Sequence, residues 1–260
     1  MSPSAQTSNP TGRRFEGLVA LVTGSAWGMG LNHAQRFAAE GAKLVMCDIL
    51  GDKVKDAAAT LPDAIAVTCD ISKADDVARV ADTALSKYGR IDILVNNGGG
   101  AIYPAKAIVD QTEEEFDRIV NINLKGTWLF SRAVFPSMRE TGRGKIVNIV
   151  STGALRSTPG RGLYGAAKGG VMSLTYTMAG EFGLHGINVN GIAPALTNIP
   201  HEKITYSQAE YEVMKAVAMK NQPIKRVVEM DDISDLVLFL SSRQSDMISG
   251  QVIPVTGGGF

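Results

Sequence analysis

A tyrosine and a lysine stand four residues apart in the segment YGAAK, with only glycine and alanine between them. On a helix, Tyr164 and Lys168 would share one face, because residues i and i+4 are neighbours there. Both side chains ordinarily lose a proton at about pH 10, so neither is a base at neutral pH. A lysine ammonium beside the phenol favours the phenolate, so the pair predicts a tyrosine that takes a proton from a substrate hydroxyl. Alone, the two residues could equally be a solvated pair on a helix.

A serine stands where it could assist this chemistry. Ser151 ends the apolar run KIVNIVS, which predicts a strand. From there its hydroxyl could hydrogen-bond the substrate oxygen and stabilise the charge that develops on it. Most serines at strand ends have no such role, so this hypothesis depends on the residues around Ser151.

A glycine-rich turn, TGSAWGMG, follows the first apolar run and precedes a helical pattern. Gly24, Gly28 and Gly30 permit a tight turn and a close approach of backbone to ligand. The helix that follows would direct unpaired N–H groups and its positive dipole end at an anion. Strand, glycine-rich turn and helix form the context that binds a dinucleotide pyrophosphate. The spacing differs from the commoner G-x-G-x-x-G, so the turn alone could be a connection without a ligand.

Two aspartates at successive strand ends favour a nucleotide cofactor. Asp48 ends the second predicted strand, where a carboxylate can accept hydrogen bonds from the adenosine ribose hydroxyls. Asp70 ends the third and could meet the adenine. A 2′-phosphate about 4 Å from Asp48 would be repelled by about 4 kcal/mol, and positions 25 and 49 carry Ser25 and Ile49 rather than a basic residue. The sequence therefore predicts NAD rather than NADP.

Short apolar runs alternate with helical patterns along the chain. The predicted strands cover residues 18–24, 42–48, 64–70, 91–97, 145–151, 187–193 and 251–258. The predicted helices cover about 30–40, the fifties, 73–88, 112–138, 163–183 and 231–242. Strands that are apolar throughout and separated by helices indicate a parallel sheet covered on both faces.

We therefore expect a single α/β domain with a doubly wound, Rossmann-type sheet of seven parallel strands. The domain is expected to cover residues 15–260, behind a flexible tail at residues 1–14, and to carry a substrate loop at about 194–225. The polar N-terminus lacks the apolar core of a signal peptide.

Composition argues against several functions. The chain has 260 residues, with 26 basic and 26 acidic side chains, so we expect neither nucleic acid nor membrane as a partner. Its two cysteines, Cys47 and Cys69, do not suggest a disulfide scaffold, and no cysteine or histidine spacing indicates a metal site. We expect a cytoplasmic protein whose partner is a small-molecule substrate.

Five motifs together resemble the short-chain dehydrogenase/reductase family, in its single-domain branch of about 250 residues. They are TGSAWGMG, NNGGG at 96–100, Asn123 in NLKG, Ser151 and YGAAK. The resemblance runs from about residue 17 to the C-terminus, and it is specific because the motifs occur in the family's order. It implies a nicotinamide-dependent oxidoreductase and a homotetramer formed through the helices at about 112–138 and 163–183 and through the last helix and strand.

The resemblance also implies residue roles. Tyr164 would be the base, Lys168 would also hold the nicotinamide ribose, Ser151 would bind the substrate oxygen, and Asn123 would help to hold a water path for the proton. Thr197 would meet the nicotinamide carboxamide. The remaining expected cofactor contacts are Gly24, Ser25, Trp27, Gly28, Met29, Gly30, Asp48, Ile49, Asp70, Ile71, Asn97, Gly98, Gly99 and Pro194.

The substrate is expected to be a small polar molecule with a secondary alcohol or sugar hydroxyl, which could also carry an anionic group. Arg156 and Arg161 precede Tyr164 and could grip such an anion, although solvated loop charges are the slightly favoured interpretation of both. The expected substrate contacts are Ser151, Gly153, Arg156, Arg161, Tyr164, Ala195 and His201. Ala195 would be strained if the glycine usual in the family at this position has a positive φ. The alternatives are an NADPH-type carbonyl reductase and a non-catalytic NAD-binding regulator.

Overall fold

Seven parallel strands form the central sheet, in the order β3-β2-β1-β4-β5-β6-β9. They are β1 (Val19–Thr23), β2 (Lys43–Asp48), β3 (Ala64–Thr68), β4 (Ile93–Asn96), β5 (Gly144–Ile149), β6 (Ile187–Pro194) and β9 (Val252–Val255). The structure is a computed structural model, and it describes residues 13–156, 158–200 and 207–259. From β1 the chain builds outward to β3, returns to β4 beside β1 and then builds outward on the other side. This is the predicted doubly wound arrangement, which opens a crevice at the carboxyl ends of β1 and β4.

Helices cover both faces of the sheet. They are α1 (Gly28–Ala39), α2 (Gly51–Ala59), α3 (Ala74–Tyr88), α4 (Glu113–Val120), α5 (Gly126–Thr141), α6 (Gly162–Gly183), α7 (Gln208–Asn221) and α8 (Met230–Ser241). One core packs α1, α2 and α8 against the sheet, and the other packs α3, α5 and α6 against it. Strand β1 supplies Ala20 and Val22 to the first core and Val19 and Leu21 to the second, as the alternation of side chains along a strand requires.

The helix predicted over 112–138 is interrupted. Its start is as expected, because Thr112 and Glu115 form the capping box at the N-terminus of α4. A π-helical turn over Asn121–Lys125 then separates α4 from α5, which continues to Thr141. The prediction of one regular helix was wrong. A π-helical turn contains one more residue than an α-helical turn, which changes the local backbone hydrogen bonds but leaves the spacing of apolar residues nearly intact, so the spacing does not reveal the turn.

A short two-stranded ladder was not predicted. Strands β7 (Thr197–Asn198) and β8 (Val228–Glu229) pair in parallel beside the end of β6 and enclose the segment that contains α7. Two-residue strands have too few residues for an alternating pattern to reveal them.

The N-terminal tail was expected to end at residue 14. Residues 1–12 lie outside the described part of the chain. Arg14, which was assigned to the tail, forms an ion pair with Glu40 after α1. Phe15 is fully buried, and its ring centroid lies 4.9 Å from that of Phe37.

The thiols of Cys47 and Cys69 are both free and buried. Within the described ranges, no cluster of histidine, cysteine and carboxylate side chains could hold a metal ion. His33 is instead a buried packing residue, with Nδ1 2.7 Å from Ser234 Oγ. None of the described helices combines the length and the apolar character needed to cross a membrane.

Candidate active site

A cavity of about 430 Å³ occupies the crevice at the carboxyl ends of the central strands. Most of the expected cofactor contacts line it. They are Gly24, Trp27, Gly28, Met29, Asp48, Ile49, Asp70, Ile71, Asn97, Gly98 and Gly99. Ser25 is an exception among the expected contacts, because its side chain is fully buried and its hydroxyl donates to the Val22 carbonyl at 3.0 Å.

The glycine-rich turn presents the N-terminus of α1 to this cavity. Trp27 precedes the helix, and its side chain makes no capping hydrogen bond to the N–H groups of the first turn. At Gly30, a Cβ atom would lie 2.1 Å from the Gly24 carbonyl oxygen, so only glycine allows the helix to start this close to the turn. Uncapped N–H groups at a helix N-terminus attract anions, and this arrangement therefore fits a dinucleotide pyrophosphate.

Asp48 is held rigidly at the end of β2. One carboxylate oxygen accepts the Ala26 N–H at 3.1 Å, and the other accepts the Leu50 N–H at 3.0 Å. These bonds use two of the roughly four acceptor sites of a carboxylate, so it can still accept ribose hydroxyls. Both partners are neutral amides, and no basic side chain of the described chain forms an ion pair with Asp48.

Asp70 lines the same cavity and lies two residues after the end of the neighbouring strand β3. Burial raises the pKa of this carboxyl, but hydrogen bonds from the Ser72 hydroxyl and amide, together with the charge of Arg118, outweigh it. The pKa of Asp70 therefore lies below its usual value. An ionised acceptor at this position suits the exocyclic amine of an adenine.

Lys168 lies in the protein interior, with only 3% of its surface exposed. Its ammonium donates to the carbonyl of Ile149, the last residue of β5, at 2.7 Å. Burial lowers the pKa of this lysine to about 8. Nζ also lies 5.8 Å from the centroid of the Tyr164 ring, so the expected pair is formed. The cation is thus in place to stabilise negative charge on the phenol oxygen.

The hydroxyl of Ser151 is oriented by the short helical turn that it begins. Ser151 Oγ accepts the Gly153 N–H at 3.1 Å, which leaves the hydroxyl proton free to be donated elsewhere. At Gly165, a Cβ atom would lie 2.8 Å from the Gly153 carbonyl oxygen. The glycine after Tyr164 therefore allows α6 to approach the Ser151 turn closely.

Asn123 is buried in the π-helical turn and fastens the loop after β4. Its Oδ1 accepts the Gly100 N–H at 2.9 Å, while its Nδ2 donates to the carbonyls of Gly100 and Ile119, both at 3.0 Å. The wide turn brings this side chain inward, which agrees with the frequent occurrence of π-bulges at functional sites. The side chain thus fixes the loop that carries Gly98 and Gly99 to the cavity wall.

The expected nicotinamide-side residues lie after β6. Pro194 ends that strand, and Thr197 is buried with its hydroxyl donating to the Ala195 carbonyl at 3.0 Å. Ala195 is not strained, because Asp63 is the single non-glycine residue with positive φ in the described ranges. Its N–H instead donates to the Val255 carbonyl at 3.0 Å.

The residues expected to bind substrate are brought together only in part. Arg161 lies beside Tyr164, but its Nη1 donates to the Tyr103 carbonyl at 2.6 Å and approaches the Ala101 carbonyl at 3.5 Å. Arg156 is exposed and does not line the cavity beside Tyr164. His201 lies outside the described residues.

Some lining residues were missed by the sequence reasoning. They are Leu50, Cys69, Ile102, Arg118, Ile122 and Ile199. Arg118 and Ile122 are four residues apart, so a helical projection of the segment that contains them could have placed both on one face. Ile199 follows β7 and gave no sequence signal.

The chain is similar to known oxidoreductases over nearly its whole length. Residues 24–259 match the family model described as enoyl-(acyl carrier protein) reductase. Galactitol 2-dehydrogenase of Agrobacterium fabrum is 39% identical over 255 residues, which cover 95% of this chain and 99% of that enzyme. The 3-oxoacyl-(acyl-carrier-protein) reductase of Thermotoga maritima is 34% identical over 250 residues, covering 94% and 98% of the two chains. A crystal structure of levodione reductase matches with a TM-score of 0.87 at 31% identity, covering 94% of this chain and 98% of that one.

Replacing the buried cation should stabilise the fold. The folded-state pKa of Lys168 lies below its ordinary 10.5, so stability rises with pH between about 8 and 10.5, where the unfolded chain binds more protons. At pH 7 the folded protein therefore bears the full desolvation cost. We expect Lys168→Met to raise the free energy of unfolding at pH 7 by about 1 to 3 kcal/mol, after loss of the bond to Ile149 is counted. The gain should shrink as the pH rises toward 10.5.

Urea denaturation at pH 7 and at pH 9.5 measures this gain. The exposed Lys125→Met serves as the matched control and should change stability little at either pH. A Lys168→Met variant that is less stable than the unmodified chain at pH 7 would contradict the assignment of Lys168 as a costly buried cation.

Proposed function

The chain belongs to the short-chain dehydrogenase/reductase family, and on that premise we propose that it uses NAD to oxidise a secondary hydroxyl of a neutral, polyhydroxylated small molecule. The observation that carries this proposal is the buried Lys168 ammonium against the Tyr164 ring, beside a cavity lined by Asp48. Oxidation of such a hydroxyl gives a ketone, with one hydride leaving the carbinol carbon and one proton leaving the oxygen.

The chemistry follows from the placement of the side chains. NAD, when bound, supplies the acceptor for the hydride. Tyr164 accepts the hydroxyl proton, and the Lys168 cation stabilises the phenolate that must be present before it does so. Ser151 donates its hydroxyl proton to the substrate oxygen, since Oγ already accepts the Gly153 N–H. Asn123 keeps the loop after β4 in place while these steps occur.

Asp48 supports NAD as the cofactor. Its carboxylate is fixed by two backbone amides and faces the cavity without a basic side chain bonded to it among the described residues. A 2′-phosphate beside it would meet repulsion of about 4 kcal/mol at an effective dielectric near 20. Ribose hydroxyls would instead donate to the same oxygens.

A neutral substrate is favoured over an anionic one. The guanidinium of Arg161 is engaged with the carbonyls of Ala101 and Tyr103, and Arg156 is exposed. The charge of Arg161 also acts on a carboxylate of this chain. Hydrogen bonds from the Ser207 amide and hydroxyl hold the pKa of Glu210 below its usual value, and the charge of Arg161 lowers it further. Neither arginine is therefore poised to clamp an anion. Galactitol 2-dehydrogenase, whose named substrate is a neutral polyol, points to the same class.

Two alternatives are weaker. The similarity to a 3-oxoacyl-(acyl-carrier-protein) reductase favours a carbonyl reductase that uses NADPH, but Asp48 disfavours the phosphorylated cofactor. A non-catalytic NAD-binding regulator would need the glycine-rich turn and Asp48 but has no use for a buried lysine beside a tyrosine. The cytoplasm, where NAD is present and thiols such as Cys47 stay reduced, is the proposed location.

Exposed aromatic side chains on the helices of one sheet face support a homotetramer. Phe116 on α4, Trp128 on α5 and Tyr176 on α6 are each between 41% and 49% exposed. Large apolar side chains on adjacent helices are typical of an interface between copies of a chain.

The cofactor assignment can be measured directly. We expect NADH formation from galactitol with a kcat/KM at least about 100-fold higher for NAD than for NADP, because part of the repulsion at Asp48 is screened. Asp48→Asn should reduce that preference at least about tenfold, since it removes the charge at nearly constant size. Asp70→Asn is the control and should affect both cofactors alike. A preference for NADP in the unmodified chain would refute the assignment, and the lack of any turnover would favour the regulator.

The oligomeric state has its own test. Light scattering after size exclusion should give a mass about four times that of the 27.6 kDa chain. Trp128→Lys should lower this mass, because it places a charge in the proposed interface. Met247→Lys changes a side chain that is 97% exposed and should leave the mass unchanged. A mass near that of one chain in the unmodified protein would exclude the tetramer.

A further inference from the structure

A second, much smaller cavity lies directly against Tyr164. The residues with polar side chains in its lining are Tyr103, Lys106, Gln111, Glu115, Arg161 and Tyr164. About 10 Å³ is open to the centre of a water-sized group, which is room for about one oxygen atom. A site of this size next to the catalytic tyrosine can take a single substituent of a substrate, such as a hydroxyl, but not a second ring or an acyl chain.

The Gln111 side chain lines this cavity and contains a buried acceptor that is not used. Its Nε2 donates to the Lys106 carbonyl at 3.3 Å. Since a carbonyl can only accept, this contact fixes which end of the amide is the oxygen. Gln111 Oε1 is buried and has no hydrogen-bond partner among the described residues. A buried acceptor without a donor is unfavourable, so a group that donates a hydrogen bond would be stabilised there.

The charged groups around the cavity each have a hydrogen-bond partner. Lys106 Nζ lies 2.6 Å from Glu115 Oε1, and this ammonium holds the pKa of Glu115 below its usual value. The Arg161 guanidinium donates to the carbonyls of Tyr103 and Ala101. The Lys106 ammonium is therefore paired with a carboxylate, and Arg161 Nη1 is engaged by two carbonyls. The neutral oxygen of Gln111 is the group that needs a partner, and a neutral O–H is the donor that fits the available volume.

We propose that this cavity is the subsite for a second hydroxyl of the substrate, with Gln111 Oε1 accepting its hydrogen bond. The inference rests on the proposed oxidation of a polyol and adds the residue that selects for it. Tyr164 borders both this cavity and the reacting hydroxyl, so a substrate with hydroxyls on neighbouring carbons would be held at two points. Holding the substrate at two points restricts rotation of the carbinol at the base and favours polyols over monohydric alcohols.

The test compares galactitol, its singly deoxygenated derivatives and 2-butanol as substrates with NAD. Gln111→Leu removes the acceptor, and it should lower kcat/KM for galactitol about tenfold or more while leaving that for 2-butanol within about twofold. For the unmodified chain, kcat/KM should be lower by a similar factor with one deoxygenated derivative than with galactitol. With that derivative, Gln111→Leu should not lower kcat/KM further. Such non-additivity identifies the hydroxyl and Gln111 as partners.

Two further variants keep the result interpretable. Gln111→Met has nearly the same shape without the acceptor and should behave like Gln111→Leu, so a folding defect of one variant does not decide the outcome. Gln244→Leu changes an exposed glutamine far along the chain and should leave every ratio unchanged.

The outcomes separate this inference from the function on which it rests. If the unmodified chain oxidises 2-butanol but no polyol, both the proposed function and the subsite are overturned. If the unmodified chain oxidises galactitol, and both Gln111 variants lower kcat/KM by the same factor for galactitol and for 2-butanol, the subsite alone is overturned. The subsite is also overturned if the effect of the Gln111 variants on kcat/KM is the same for every deoxygenated derivative as for galactitol.

Discussion

The burial of one ammonium group is the constraint on which the site depends. Lys168 is removed from water, and its ammonium donates a hydrogen bond to the Ile149 carbonyl. Desolvation of this kind opposes folding, and the lowered pKa of about 8 expresses that cost. The same burial strengthens the electrostatic effect of the cation on the neighbouring Tyr164, because charges interact more strongly where little water screens them.

The surrounding fold is arranged to hold that cation in one place. Asn96 on β4 donates to Asn148 on β5 at 2.8 Å, and Asn148 donates to Thr175 on α6 at 2.9 Å. This buried chain of hydrogen bonds ties two central strands to the helix that carries Tyr164 and Lys168. Buried polar networks that are fully paired favour one arrangement of their elements. The small residues between the tyrosine and the lysine have a matching role, since Gly165 lets α6 approach the Ser151 turn.

Sheet topology and the cofactor cavity could be read from sequence because each rests on a local pattern. Apolar runs separated by amphipathic segments predicted all seven strands of the main sheet, and Asp48 and Asp70 were placed by their positions at strand ends. The π-helical turn around Asn123 was missed because it leaves apolar spacing nearly intact.

Hydrogen bonds between a side chain and a loop that is distant in sequence could not be predicted. Arg161 was expected to face an anionic substrate, yet it bonds to carbonyls nearly sixty residues earlier in the chain, a contact that no sequence period encodes. Gln111 was overlooked for the same reason, since its unpaired oxygen is defined by the packing of three separate segments.

The measurement that tests the central claim is an ultraviolet difference titration of the unmodified protein against Tyr164→Phe, which isolates one phenol among the six tyrosines. The Lys168 cation lies 5.8 Å from the centroid of the Tyr164 ring and favours the phenolate over the phenol. We therefore expect phenolate absorbance from Tyr164 to appear below the ordinary tyrosine range of about pH 10, and to move up to that range in Lys168→Met. Absence of phenolate below about pH 10 in the unmodified protein, with NAD bound as well as without it, would contradict the assignment of Tyr164 as the base.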